Sequence, residues 1–409
     1  MNIALSFPGC HRRGGVERVM FECANFLVGR GHDVHVFACE WEPAPVVTYH
    51  KVEVPKKPGF TFGRRYKNAC TAMLRDQQFD VLNTHGAVCP TGGVQWVQSI
   101  HAAWLDAAKK FRAPMSLARW KQRLNPVHPV LLRLEAEHFG HRGYRKLIAT
   151  TQQVRQDLNT YYGVPFEDVE IIPNGFSPTE FNPECRHDRR TEERHKLGLT
   201  DDHIVLLLVA NELARKGYAA ILGAMKILNN PNLRLIVVGR PSVEEVKRQA
   251  VQAGLGDQVL ALGSHSDVAA MHAAADLFIL PTQYEAFCLA ILESLGSGLP
   301  VITSGVPGAR DAILPGLNGY VVEDPKNIES LAETLRPLLD HSRIAALSAT
   351  TPATVEQYQW PNVLKRYEEI LIAPSHREHR AHREIDSPQS YEDAKKFLST
   401  DFADYADGD

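Results

Sequence analysis

The chain has 409 residues, 44% hydrophobic and 23% charged, with a formal net charge of −3. That length exceeds one ordinary core and predicts two domains of roughly 150–200 residues each; the near-balanced charge argues against a general nucleic-acid binder. The longest apolar run, 204–210, is far short of the ~20 residues a membrane span needs, and seven cysteines without a C-x-x-C pair fit reduced thiols in a cytoplasmic protein better than a disulfide frame or a zinc site.

In chain order, residues 3–7 read as a buried strand, with no basic segment and long apolar stretch of the kind a signal peptide carries. A Gly-containing loop follows, then a helical pattern over 16–29 closed by Gly31-His32, and a second strand at 34–37. Residues 80–83, 94–97, 147–150 and 169–172 are predicted as later strands of the same sheet. The polar stretch 183–196 carries no strand signal and reads as the interdomain linker. A second alternation begins at Ile204, with strands at 204–210, 233–239, 259–263, 277–281, 301–304 and 319–322 separated by helical patterns. Strands alternating with helices of this length imply parallel sheets covered on both faces, hence two doubly wound α/β domains. Ligands in such folds sit beyond the carboxyl ends of the strands, so the cleft between the halves is the expected site. A last helical segment covers 362–372 and ends before Pro374. Residues 374–409, rich in charge and histidine and then acidic, are expected to be a disordered tail.

Residues 280–300 read Leu-Pro-Thr-Gln-Tyr-Glu-Ala-Phe-Cys-Leu-Ala-Ile-Leu-Glu-Ser-Leu-Gly-Ser-Gly-Leu-Pro, a strand end, a loop with Glu285 and a helix with Glu293. At about 100° per residue the two glutamates differ in direction by only about 80° and share a side. A helix start over 286–288 leaves backbone N–H groups unpaired, which suits an anion or sugar hydroxyls, and carboxylates accept hydrogen bonds from hydroxyls. After the strand at 204–210 comes Asn211-Glu212-Leu213-Ala214-Arg215-Lys216-Gly217. Two adjacent cations at a strand's carboxyl end clamp a diphosphate, each charge-assisted bond being worth about 1.5–3 kcal/mol. Gly14-Gly15-Val16-Glu17-Arg18 lies between the first strand and first helix, where glycine allows close backbone approach. It is not G-x-G-x-x-G, so the nicotinamide fingerprint is absent. His85 and His101 stand at strand ends, in Asn83-Thr84-His85-Gly86 and Ser99-Ile100-His101-Ala102.

These segments resemble the E-x7-E motif, the R-K-G loop and the N-terminal G-G-x-E-R loop of glycosyltransferase family 4, the group 1 glycosyltransferases, over about residues 1–372. The resemblance implies the GT-B fold: two Rossmann-like doubly wound domains facing across a cleft, with a C-terminal helix crossing back to the first. It divides the chain into an acceptor-side domain at 1–182, a nucleotide-sugar domain at 183–360, a crossover helix at 361–373 and the tail, with hinges at about 180–190 and 358–362. By position, Glu285 and the N–H groups of Phe287 and Cys288 contact the donor sugar, Glu293 the ribose, and Arg215 and Lys216 the diphosphate. Gly14 and Gly15 then approach the donor phosphate and the acceptor, His101 lies by the transferring sugar, and His265 lies beside the nucleobase. The family usually has Gly at position 288 and a Gly-Arg pair at Ala210-Asn211.

Segments 30–36, 213–217 and 273–277 resemble members of the family that act as lipopolysaccharide core glucosyltransferases, which makes UDP-glucose the first donor to expect. The implied reaction is retaining, needs no cofactor and no metal, and uses a glycan or lipid-linked acceptor in cell-envelope synthesis. The Lys-, Arg-, Trp- and Leu-rich stretch 109–141 suits peripheral contact with an anionic membrane at its inner face. Two other readings stay open on sequence: a sugar-nucleotide epimerase of the same architecture, and a catalytically silent subunit that binds nucleotide sugar.

Overall fold

The computed structural model describes residues 1–112 and 115–373. The expected tail at 374–409 lies outside them, as do His376, His379 and His382.

The first half builds a seven-stranded sheet. Its spatial order is Thr48–Lys51, Asp33–Ala38, Asn2–Ser6, Val81–His85, Val94–Val97, Lys146–Ala149 and Val169–Ile171, every pairing parallel. The second half builds a six-stranded sheet in the order Val259–Gly263, Leu233–Val238, Ile204–Val209, Leu277–Leu280, Val301–Ser304 and Gly319–Val322, again all parallel. Both sheets run outward in two directions from their first strand, and the fourth strand pairs on its other side. That is the Rossmann order, and it opens a crevice beyond the carboxyl ends of the first and fourth strands. The loops leaving those strands in the second sheet carry Arg215, Lys216, Glu285, Phe287 and Cys288.

Two elements differ from the sequence expectation. Thr48–Lys51 is an edge strand whose sequence, Thr-Tyr-His-Lys, carries no apolar run. The stretch read as a linker is a 14-residue helix, Pro183–Lys196. Asn182 caps it by accepting from Cys185 N–H at 2.8 Å, Pro183 opens it, and Arg194, His195 and Lys196 close it. Its polarity has a use. Arg186, Arg190 and Arg194 share one face and donate to the carbonyls of Ala275 and Ala274, where the helix Val268–Ala274 ends with unpaired acceptors. Arg190 and Arg194 also bond Asp276, which accepts from Val205 N–H in the central strand.

The chain crosses between halves twice, and the crossings run side by side. Ile172 packs in the core of the first half and Phe176 in that of the second; Val355 belongs to the second and Trp360 to the first. Phe176 N–H donates to Tyr358 at 3.0 Å, and Trp360 N–H donates back to Phe176 at 3.0 Å. The first crossing is therefore nearer 172–176 than the 180–190 expected. The helix Trp360–Ile372 then lies on the first sheet, with Val363, Leu364, Tyr367 and Leu371 buried against it and the Tyr367 ring tilted against that of Trp96 at 5.1 Å. A Cβ at Gly175 would stand 2.6 Å from the Trp360 ring and 2.8 Å from the Tyr358 carbonyl. Gly175→Ala is expected to cost about 1–3 kcal/mol by overpacking this junction; a urea titration with an unchanged midpoint would show that the junction yields freely.

Candidate functional site

Two loops of the second half are stitched together. Gln283 N–H donates to the Arg215 carbonyl at 2.9 Å, and its side chain donates to Ala214 at 2.9 Å. Gly217 closes the first loop with φ +79°, and a Cβ there would lie 2.2 Å from the Pro281 carbonyl. Only glycine tolerates both the left-handed backbone and that contact.

The stitching brings Arg215, Lys216 and Glu285 together. Glu285 Oε1 accepts from Arg215 at 2.9 Å, from Thr282 at 3.2 Å and from Lys216 Nζ. Arg215 also donates to Tyr284 O at 2.6 Å and to Glu212 at 3.2 Å. Burial would push the Glu285 carboxyl up, but Lys216 and Arg215 outweigh it and hold the group below the usual carboxylate range. Arg112, from the first half, stands 3.7 Å from Glu212. The cluster thus contains three cations and two carboxylates, drawn from both halves.

Glu293 forms a second centre. It is buried on the helix Leu289–Gly296 and accepts from Arg18 Nη1 at 3.0 Å. Arg18 sits in the first turn of the helix Val16–Gly29, next to Gly14 and Gly15, so the glycine loop comes up to the second half here. Gly14 has φ +109°, while a side chain at Gly15 would meet open space. Cys288 lies between the centres. Its Sγ is 4.0 Å from Lys216 Nζ, and burial pushes its thiol up to about 11, with Lys216 lowering and Glu285 and Glu293 raising it.

Other assignments fare differently. The helix begins at Leu289, not over 286–288, and Cys288 N–H donates to Gly308 O at 3.2 Å. That donor is committed to the fold, because the Gly308 carbonyl needs a partner. Phe287 packs its ring 6.2 Å from that of Tyr358. His265 lies on an exposed turn and bonds the Asp267 backbone, without contact to the cluster. His85 is fully buried near Trp96, and burial lowers its imidazole to about 3, so it is a core residue. His101 opens the helix His101–Phe111, whose first N–H groups donate to Glu135. Its ring stacks 5.6 Å from Trp104 and lies 3.0 Å from His128 Nδ1. Trp104 in turn lies under Arg112, which reaches the cation cluster.

Sequence reading passed over Arg18, Arg112, Glu212 and Thr282 as site residues. Arg18 and Glu212 stood inside the quoted motifs; Arg112 carried no local signal.

Burial and then His128 depress the His101 imidazole to about 4. The ring is therefore expected to stay neutral down to about pH 5. NMR titration of its ring signals checks this; a midpoint near 6.5 would mean that the His128–Trp104 packing opens in solution.

Comparison with known proteins converges on one family. Residues 13–180 match the Glycosyltransferase Family 4 model, and residues 189–351 match the Glycosyl transferases group 1 model. The lipopolysaccharide glucosyltransferase WaaG of Escherichia coli K12 is 27% identical over 334 residues, covering 80% of this chain and 87% of that protein. A D-inositol 3-phosphate glycosyltransferase of Xylanimonas cellulosilytica is 29% identical, covering 87% and 91%. The crystal structure of WaaG superposes with a TM-score of 0.77 at 23% identity, over 91% of this chain and all 100% of that one. Anabaena HepE in complex with UDP-glucose superposes with a TM-score of 0.69 at 18% identity, over 90% and 98%. These structural likenesses speak to the fold. With both halves matched in sequence and both sheets in the expected order, the chain belongs to the group 1 glycosyltransferases of the GT-B fold.

Proposed function

We propose that the chain is a retaining glycosyltransferase that moves a hexose, glucose from UDP-glucose in the first instance, onto a glycan or lipid-linked acceptor without a metal. The observation that carries this reading is the convergence of Arg215 and Lys216 on Glu285 at the carboxyl ends of the central strands. The two cations grip the diphosphate and stabilise it as it leaves, which supplies positive charge where it develops. Glu285 keeps them side by side through Oε1 and offers Oε2 to sugar hydroxyls. Glu293 offers its second oxygen to the ribose. A relative that is a lipopolysaccharide glucosyltransferase and a fold neighbour solved with UDP-glucose support UDP-glucose as the donor to try first.

The step is front-side. The bond from the anomeric carbon to the leaving phosphate oxygen breaks, and the acceptor oxygen bonds that carbon on the same face. The acceptor's proton passes to the leaving phosphate oxygen. The protein's share is positioning and electrostatics. His101, neutral, is a hydrogen-bonding group for the sugar rather than a proton store.

The acceptor side bears a basic and apolar patch. Met115, Trp120 and Leu124 are 91%, 56% and 73% exposed, close in sequence to Lys109, Lys110, Lys121 and Arg123. Among the described residues no helix is long and apolar enough to cross a membrane. The patch supports peripheral contact with an anionic membrane surface, where a lipid-linked acceptor resides.

A panel of UDP- and GDP-sugars, scored by thermal shift and slow hydrolysis, tests the donor; UDP-glucose is expected to raise the midpoint most. Arg215→Ala and Lys216→Ala are each expected to lower kcat by about 10²–10³-fold at saturating donor. Unchanged turnover in both would remove the clamp. Glu293→Ala is expected to raise donor KM about tenfold with a smaller change in kcat.

A further inference from the structure

One guanidinium serves three carboxylates from three parts of the chain. Arg18 donates to Glu293 at 3.0 Å and to Glu180 at 2.7 Å, and lies 3.8 Å from Glu22. Its plane also rests 5.5 Å above the Phe181 ring. Arg18 and Glu293 side chains are each only 10% exposed, whereas Glu180 is 43% exposed. Glu293 comes from the donor half, and Arg18 comes from the opposite one. His272, which bonds Ser294, the residue after Glu293, and the Cys288 thiol lie nearby, with Arg186 beside His272 and Arg12 beside Glu22.

A ribose presents two vicinal hydroxyls. A carboxylate accepts from both, whereas a protonated carboxyl must use one oxygen as a donor. Burial raises the Glu293 carboxyl, Arg18 lowers it, and Glu180 raises it. Removing Arg18 leaves a buried carboxyl facing another carboxyl, and such a group takes up a proton.

We propose that Arg18 is a positioning residue for the donor nucleoside: reaching across the cleft, it holds Glu293 as an oriented acceptor for the two ribose hydroxyls. The proposal rests on the assignment of Glu293 to the ribose. It makes nucleoside affinity depend on the first half, although the nucleoside's own contacts lie in the second. The opposite role is a competitor, a guanidinium that must leave Glu293 before ribose can bind. The two roles predict opposite signs.

Calorimetry of UDP and of GDP binding to the full chain, from pH 5.5 to 8.5, separates them. Arg18→Met is expected to weaken binding about tenfold at pH 6 and by less than about threefold at pH 8.5, since one unit of pKa is a tenfold change in the charged fraction. Arg18→Lys, which keeps the charge, is expected to stay within about threefold of wild type throughout. With 2′-deoxy-UDP the Arg18→Met penalty is expected to shrink. Tighter binding by Arg18→Met, or an equal loss at every pH, would overturn the proposal. Glu293→Gln guards the premise: if it binds UDP and GDP like wild type, the ribose assignment fails, whatever Arg18 does. Should Arg18→Met not fold, Arg18→Lys and Glu180→Gln decide. Glu180→Gln removes the neighbouring negative charge, so it is expected to retain affinity and move the pH dependence lower; a tenfold loss would count against the proposal.

Discussion

The carboxylate of Glu285, buried against Lys216 and Arg215, is the interaction on which two loops of the second half are organised. Taking three charges out of water is unfavourable unless they are matched, and removing one partner of a buried pair costs about 3–5 kcal/mol. The two loops are thus committed to each other: neither cation can be left alone, and neither can the carboxylate. The sheet order brings the loops close, since they leave the first and fourth strands side by side. The ion cluster then holds their facing side chains together. For the proposed diphosphate clamp this matters, because positioning the cations during the reaction would add an entropic cost to every turnover.

The same electrostatics joins the halves. Arg18 and Arg112 both start in the first half and end on carboxylates of the second, Glu293 and Glu212. Glu212 in turn pairs with Arg215. Close by, Phe176 and Trp360 tie the two crossings with a pair of backbone hydrogen bonds, and Phe287 packs against Tyr358 there. Opening at the crossings would break apolar contacts among Gly175, Trp360 and Phe176.

Much of this was legible in the sequence, for a physical reason. Strands buried on both faces must be apolar throughout, so Ile204–Val209, Leu233–Val238 and Leu277–Leu280 announce themselves. The edge strand Thr48–Lys51 has one side to solvent and no such signature. Pro183–Lys196 was misread because its contacts are made by arginines, which cap carbonyls rather than bury carbon. Its capping residues, Asn182-Pro183-Glu184 at one end and Arg194-His195-Lys196 at the other, were the overlooked signal. Site residues close in sequence, such as Arg215 and Lys216, could be read as a pair. The partnership of Arg18 with Glu293 spans 275 residues, and no local pattern encodes it. The histidines mark the same limit: His85 and His101 look alike at strand ends, and only burial separates a core ring from one at the Trp104 shelf.

Cys288 shows how a departure from the family pattern fits the local chemistry. A glycine there would leave backbone alone beside Lys216; the cysteine instead puts a neutral thiol 4.0 Å from the ammonium. Since burial holds that thiol near 11, it adds no charge at neutral pH and does not disturb the balance of Lys216, Arg215 and Glu285. Its N–H, bonded to Gly308, is spent on joining this loop to the one after Val301–Ser304. On the proposed reading, recognition of the sugar then falls more heavily on side chains, with the Glu285 carboxylate foremost. The loop trades an open backbone for a filled, neutral wall beside Lys216.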